Sequence, residues 1–150
     1  MDKFYYNSPI GSLKIIASEN AVDQIQFLTR NFPSSIPKTN YGKKIKQELD
    51  QYFKGSRSKF TLKFKAEGTQ FQKDVWNAMK KVKYSKTVSY QDIAKMVHRP
   101  KAVRAVGTAC GRNPLPIVIP CHRIITSDGK LGGYGGGIKK KEWLLNHEKL

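Results

Sequence analysis

The sequence predicts an α+β fold: a small β-meander with one helix, followed by a helical region that contains a helix-turn-helix. Three observations predict it. Apolar and polar residues alternate through the first third of the 150-residue chain, as in half-buried strands. From Gly68 onward the apolar period lengthens to about 3.6 residues, that of a helix. Between the strand-like runs and the first helix lies the one Pro/Ser/Asn-rich loop, "RNFPSSIPKTNYG", a candidate linker. Two domains are expected, 1–67 and 68–150.

The elements follow in order. "KFYY", "SLKIIAS" and "DQIQFL" read as strands, separated by the turn-forming "NSPIG" and "ENAV". In the next segment Ile45, Leu49, Tyr52 and Phe53 share a helical face, and Gly55 is placed to end that helix. "SKFTLKFKA" alternates again, as a strand or an extended connection. Thr69 can cap a helix with Phe71, Val75, Met79 and Val82 along one stripe. Ser89 can cap a second, with Ile93, Ala94 and Val97 inward and "HRP" marking its end. A third is expected from about Lys101 to Cys110. Val103, Val106, Gly107 and Cys110 would be buried, and Lys101, Arg104, Ala105, Thr108 and Arg112 would face outward. Two short helices joined tightly, the second presenting arginine and small residues, form a helix-turn-helix pattern. Three prolines then break "GRNPLPIVIPCHRII", leaving "IVI" as a short buried strand or extended segment. "TSDGKLGGYGGG" holds six glycines in twelve residues. "IKKKEWLLNHEKL" closes the chain as a helix, with Ile138, Trp143, Leu144 and His147 on related faces.

Charge narrows the function. The chain has 28 Lys and Arg against 11 acidic residues, a formal +17. Through Lys65 there are 12 basic and 5 acidic residues, and after it 16 and 6, so the excess is not confined to a tail. A polyanion, nucleic acid first, is the natural partner; a lysine-rich solvated surface is the alternative. There is no apolar run long enough to span a membrane and no secretory pattern, so a cytoplasmic protein is expected. The two cysteines form neither a disulfide framework nor a zinc spacing such as CxxC.

One of those cysteines stands in "IPCHR". Cys110 lies on an apolar helix face and reads as a core residue. Cys121 has His122 and Arg123 beside it, and cationic neighbours lower a thiol pKa. On an extended chain neighbouring side chains point apart, so a bend or a water must join the two if they work together.

Five motifs in order, "SYQDIA", "RAVG", "NPLPIVIPCHRII", "GGYGGG" and "KEWLLNHE", resemble the O6-alkylguanine-DNA alkyltransferases. The resemblance is close from Gly68 to Leu150 and loose before it. It implies a ribonuclease H-like N-terminal sheet and a DNA-binding, alkyl-transferring C-terminal domain. It also implies a single-use protein, acting as a monomer on double-stranded DNA, that moves the alkyl group of O6-alkylguanine, and of O4-alkylthymine, to its own cysteine. By that resemblance Cys121 accepts the alkyl group, His122 relays the thiol proton through water, and Glu148 orients His122. Tyr90 and Arg104 serve base flipping, with Ala105 and Thr108 also on the DNA face. Asn113 is the hinge, and Tyr90, Ile124, Tyr134 and Gly135 form the guanine pocket. Many relatives carry serine or arginine where this chain has Gly135, a change that keeps the backbone donor and removes a side chain. Some relatives hold zinc through N-terminal cysteines, which this chain lacks; no metal or cofactor is expected.

Two other functions compete. Non-catalytic lesion binders of the alkyltransferase-like kind lack the cysteine, which is present here. A thiol hydrolase would need an asparagine or aspartate partner, for which there is no motif.

Overall fold

A computed structural model describes residues 1–149; Leu150, the end of the expected second domain, lies outside the described residues. The chain divides into two compact units, Met1–Ala66 and Glu67–Leu150.

The first unit is a three-stranded antiparallel sheet with one helix. Strands β1 (Asp2–Ser8), β2 (Gly11–Ala17) and β3 (Val22–Phe27) pair in sequence order, with Phe4 opposite Ile15 and Ile15 opposite Ile25. Alternation buries Phe4, Leu13 and Ile15, and β1 packs against helix α1 (Asn40–Phe53). Ile45, Leu49 and Tyr52 of that face are buried as the spacing predicts. Thr39 caps the helix by accepting from the Gly42 amide, and Gly55, at φ +82°, follows its end. "SKFTLKFKA" makes a single parallel bridge, Phe64 to Val22, and is otherwise an extended connection.

The second unit packs α2 (Gln70–Lys80), α3 (Tyr90–Met96) and α4 (Val103–Gly111) against one another. Thr69 and Ser89 each close a capping box, with Gln72 and Asp92 respectively, satisfying amides that would otherwise lack partners. Val82 lies beyond α2, yet it is buried. Helix α3 ends at Met96, and His98 takes the left-handed conformation (φ +61°), so "HRP" belongs to the turn. Helix α4 starts at Val103, two residues later than expected: Pro100 and Lys101 remain in the turn and Ala102 is the N-cap. Its core face is Val106, Ala109 and Cys110; Val103 and Gly107 are only half-buried. The Ala109 carbonyl accepts the indole N–H of buried Trp76 at 2.9 Å, which pins α4 to α2.

Two short strands, β4 (Val88–Ser89) and β5 (Ile124–Ile125), pair in parallel, Val88 with Ile124 and Ser89 with Ile125. This pairing ties the N-terminus of α3, and so Tyr90, to the segment just after Cys121. Helix α5 (Ile138–Glu148) turns a different face inward from the one its apolar residues suggest. Ile138 is exposed, while Lys141, Leu144 and Glu148 are buried. No helix among the described residues is long and apolar enough to cross a membrane.

Candidate active site

The stretch 113–121 is not the extended strand that "IVI" suggested, but a tight, buried turn. Asn113 organises it: its Nδ2 donates to the Ile119 carbonyl at 2.8 Å, and its Oδ1 accepts the Leu115 amide at 2.9 Å. The Ile119 amide donates to the Leu115 carbonyl, and the Cys121 amide to the Ile119 carbonyl, both at 2.8 Å. Folding this tightly puts Ile117 at φ +77°, a conformation that a β-branched residue rarely adopts and that costs about 1–3 kcal/mol. Burial of Leu115, Ile117 and Ile119 holds the turn in place.

Cys121, His122 and Arg123 then form a single 3-10 turn, and this supplies the bend that an extended chain would lack. The Cys121 thiol opens onto a cavity of about 530 Å³. His122, the next residue of the turn, is fully buried and is not part of the cavity wall. Its Nε2 lies 2.6 Å from Oε2 of Glu148, which is also buried. Arg123 donates to the same carboxylate through Nε at 2.8 Å and Nη2 at 3.1 Å, and through Nη1 to the Val82 carbonyl at 2.7 Å.

The electrostatics follow from these contacts. Burial pushes the Glu148 carboxyl up, but the hydrogen bonds from His122 and Arg123 and the charge of Arg123 outweigh it and hold the group well below the usual range. Burial pulls His122 down from 6.5 against the opposing pull of Glu148, which keeps the ring neutral at neutral pH. A neutral ring that donates Nε2–H to a carboxylate keeps its lone pair on Nδ1. That buried Nδ1 has no hydrogen-bond partner among the described residues. Burial raises the Cys121 thiol, and a hydrogen bond with Asn113 and the charge of Lys141 work against the rise. At rest the site is a protonated thiol beside a neutral, oriented base.

The cavity is walled by Tyr90 on one side, by α4 through Val103, Arg104, Gly107 and Thr108 on another, and by the glycine-rich loop through Gly132, Tyr134 and Gly135. Gly132 is required twice. Its φ is +74°, and a Cβ there would come within 3.0 Å of the Tyr90 hydroxyl. A Cβ on Gly135 would meet nothing within 4 Å, so this position is open on its cavity side.

The structure thus brings Cys121, Tyr90, Arg104, Thr108, Tyr134 and Gly135 around one cavity, with His122 and Glu148 paired outside its wall. Ala105 is exposed on α4 but is not part of the cavity wall. Ile124 is fully buried and also lies outside the wall; its carbonyl is what matters, because it accepts from Lys141. Sequence reasoning missed three residues. Arg123 is a buried partner of Glu148, not merely a nearby charge. Cys110 is buried in the core beside Met79, yet it also borders the cavity. Lys141 is fully buried, and its spacing from Leu144 and Glu148, three and seven residues on, was the available signal.

Comparison with known proteins covers the whole chain. Residues 1–66 match the family model "6-O-methylguanine DNA methyltransferase, ribonuclease-like domain", and residues 70–150 match "6-O-methylguanine DNA methyltransferase, DNA binding domain". A methylated-DNA–protein-cysteine methyltransferase of Methanosarcina acetivorans is 39% identical over 148 residues, which is 95% of each chain. The inducible enzyme of that name from Bacillus subtilis is 41% identical, over 97% of this chain and 84% of its own. Among solved structures, Mycobacterium tuberculosis OGT in complex with DNA superimposes with a TM-score of 0.88 at 38% identity, covering 97% of this chain and 91% of that one.

Proposed function

Because the chain belongs to the 6-O-methylguanine DNA methyltransferase family, we propose that it repairs O6-alkylguanine in double-stranded DNA by moving the alkyl group onto Cys121. The observation that carries this reading is the buried Cys121 thiol on the wall of a cavity, with the neutral imidazole of the next residue held by Glu148. As Cys121 Sγ attacks the alkyl carbon, its proton passes through a bridging water to Nδ1 of His122. Glu148 stabilises the positive ring that forms, and Arg123 keeps Glu148 ionised and fixed. The C–O6 bond breaks, its electron pair returns to the base, and the proton ends on guanine N1. The products are a thioether and an ordinary guanine. A thioether's C–S bond does not hydrolyse under ordinary conditions, so each molecule reacts once.

A base within the helix cannot reach a thiol this deep, so the nucleotide must rotate out. Tyr90 and Arg104, on the cavity wall at its α3 and α4 sides, are suited to crowd the backbone and fill the vacated stack. Arg104, Ala105 and Thr108 share the exposed side of α4 and would enter the minor groove, whose poor sequence information suits a lesion found in any context. The +17 charge supports general affinity for phosphates. Asn113 acts as the hinge between α4 and the thiol-bearing turn. The protein works as a monomer in the cytoplasm. The decisive experiment is mass spectrometry after incubation with excess O6-methylguanine duplex. One methyl per chain, mapped to Cys121, is the expected result; sustained turnover, or methyl on Cys110, would overturn the reading.

A further inference from the structure

Lys141 is a side chain for which this mechanism has no use. It is fully buried on α5, where an ammonium group is costly unless something holds it. Its Nζ donates to the Ile124 carbonyl at 2.6 Å and to the Gly133 carbonyl at 3.1 Å, and it lies 5.7 Å from the centre of the Tyr90 ring. No carboxylate is within ion-pair distance of it among the described residues. Three pieces of the cavity therefore converge on one cation: β5 just after the 3-10 turn, the glycine-rich loop, and the ring of Tyr90. Carbonyl dipoles and a π face stabilise a cation without neutralising it, so its field remains available.

We propose that Lys141 is a positioning residue for the transfer: clamped by the Ile124 and Gly133 carbonyls, its ammonium stabilises the negative charge that develops on Cys121 sulfur. The proposal rests on Cys121 being the acceptor. The resting thiol is neutral, so the interaction is weak in the ground state and grows as the S–H bond breaks, which is the condition for lowering a barrier. Burial lowers Lys141 and raises the thiol, each toward its neutral form; against that trend the Lys141 charge lowers the thiol, and the thiols of Cys121 and Cys110 raise Lys141. The other titratable groups around the thiol are Cys110 from α4, Tyr90 from α3, Tyr134 from the loop, and His122 with its partner Glu148; none of these is a cation at rest. Two arginines are also cations: the charge of Arg123 is matched by Glu148, and Arg104 reaches the cavity from the exposed side of α4, where water screens its charge.

The test uses iodoacetamide, a small alkylating reagent that needs neither DNA nor base flipping, with the modified residue assigned by peptide mapping. The rate at Cys121 is measured across pH for the wild type, Lys141→Met and Lys141→Arg. Loss of the cation should move the midpoint of the rate profile upward, so that Lys141→Met reacts about tenfold more slowly near neutral pH, a shift of about one unit. Lys141→Arg should keep most of the wild-type midpoint. An unmoved midpoint in Lys141→Met, with the rate reduced equally at every pH, would mean that Lys141 only props the loop and would end the proposal. If Lys141→Met does not fold, Lys141→Gln, which keeps a donor and loses the charge, decides the matter by the same readout. A wild-type protein that takes no methyl from DNA would refute the proposed function while leaving this profile to be read on its own.

Discussion

Replacing Glu148 tests stability and chemistry at the same buried point. The carboxylate receives His122 at 2.6 Å and the Arg123 guanidinium at 2.8 and 3.1 Å, all with almost no exposure to water. Glu148→Ala leaves Arg123 buried without its carboxylate, held by the Val82 carbonyl and the face of the Tyr84 ring. Breaking a buried pair from one side costs about 3–5 kcal/mol. For a chain of this size that corresponds to a fall in Tm of roughly 6–20 °C. Glu148→Gln keeps the shape and removes the charge, so it should lose less. Its pH dependence has a definite sign. The folded carboxyl lies below its ordinary 4.5, so its contribution is present above that value and is lost as pH falls through the folded pKa. The stability curve of Glu148→Gln should therefore be flatter than the wild type's on the acid side of 4.5, and the two should converge there. Chemical denaturation at several pH values measures this, and single-turnover methyl transfer measures the loss of the oriented base, expected at about 10²-fold or more. A Glu148→Gln protein with wild-type stability at neutral pH and wild-type transfer rate would refute both the pairing energy and the role assigned to His122.

Arg104→Ala should slow transfer from duplex DNA strongly, because unstacking costs about a few kcal/mol and the arginine offsets part of it. The same variant should react almost normally with free O6-benzylguanine; equal losses on the two substrates would withdraw the flipping role. Gly132→Ala should destabilise the loop by about 1 kcal/mol or more through its φ of +74°, and should displace the Tyr90 ring, read as a drop in Tm together with slower transfer. Cys121→Ala should abolish transfer yet bind undamaged duplex as the wild type does, with affinity falling steeply as salt rises. Fluorescence anisotropy across a salt series gives the slope, and a flat one would contradict phosphate-driven binding.

Much of this architecture was legible because it is local. Thr69 and Ser89 announce their helices through side chains three residues from their partners, and Phe4, Leu13 and Ile15 announce a sheet by alternation. The features that were missed depend on residues distant in sequence. "IVI" looks like a strand to any local rule, and only the Asn113 bonds and the surrounding burial force Ile117 into a left-handed turn. Lys141 looks like one more lysine in a basic run, because the carbonyls that hold it belong to Ile124 and Gly133. Ile138 fails for the opposite reason: it is apolar but sits on the face that has nothing to pack against, 52% exposed. Cys121, His122 and Glu148 stood out in the sequence only together with the other motifs, since their contact joins two segments more than twenty residues apart.

The depth of the Cys121 thiol has a consequence for the life of the molecule between synthesis and use. Thiolates attack peroxides and disulfides, and a low-pKa, exposed cysteine would be oxidised long before a rare lesion was met. Here burial keeps the sulfur protonated, and the buried Nδ1 of His122, the base in the proposed reaction, makes no hydrogen bond among the described residues. The reagent is stored in its unreactive form and is discharged by the substrate that fills the cavity. Cellular capacity for repair then depends on how many undischarged copies are held in reserve, and slow oxidation in storage would lower that reserve as surely as alkylation does.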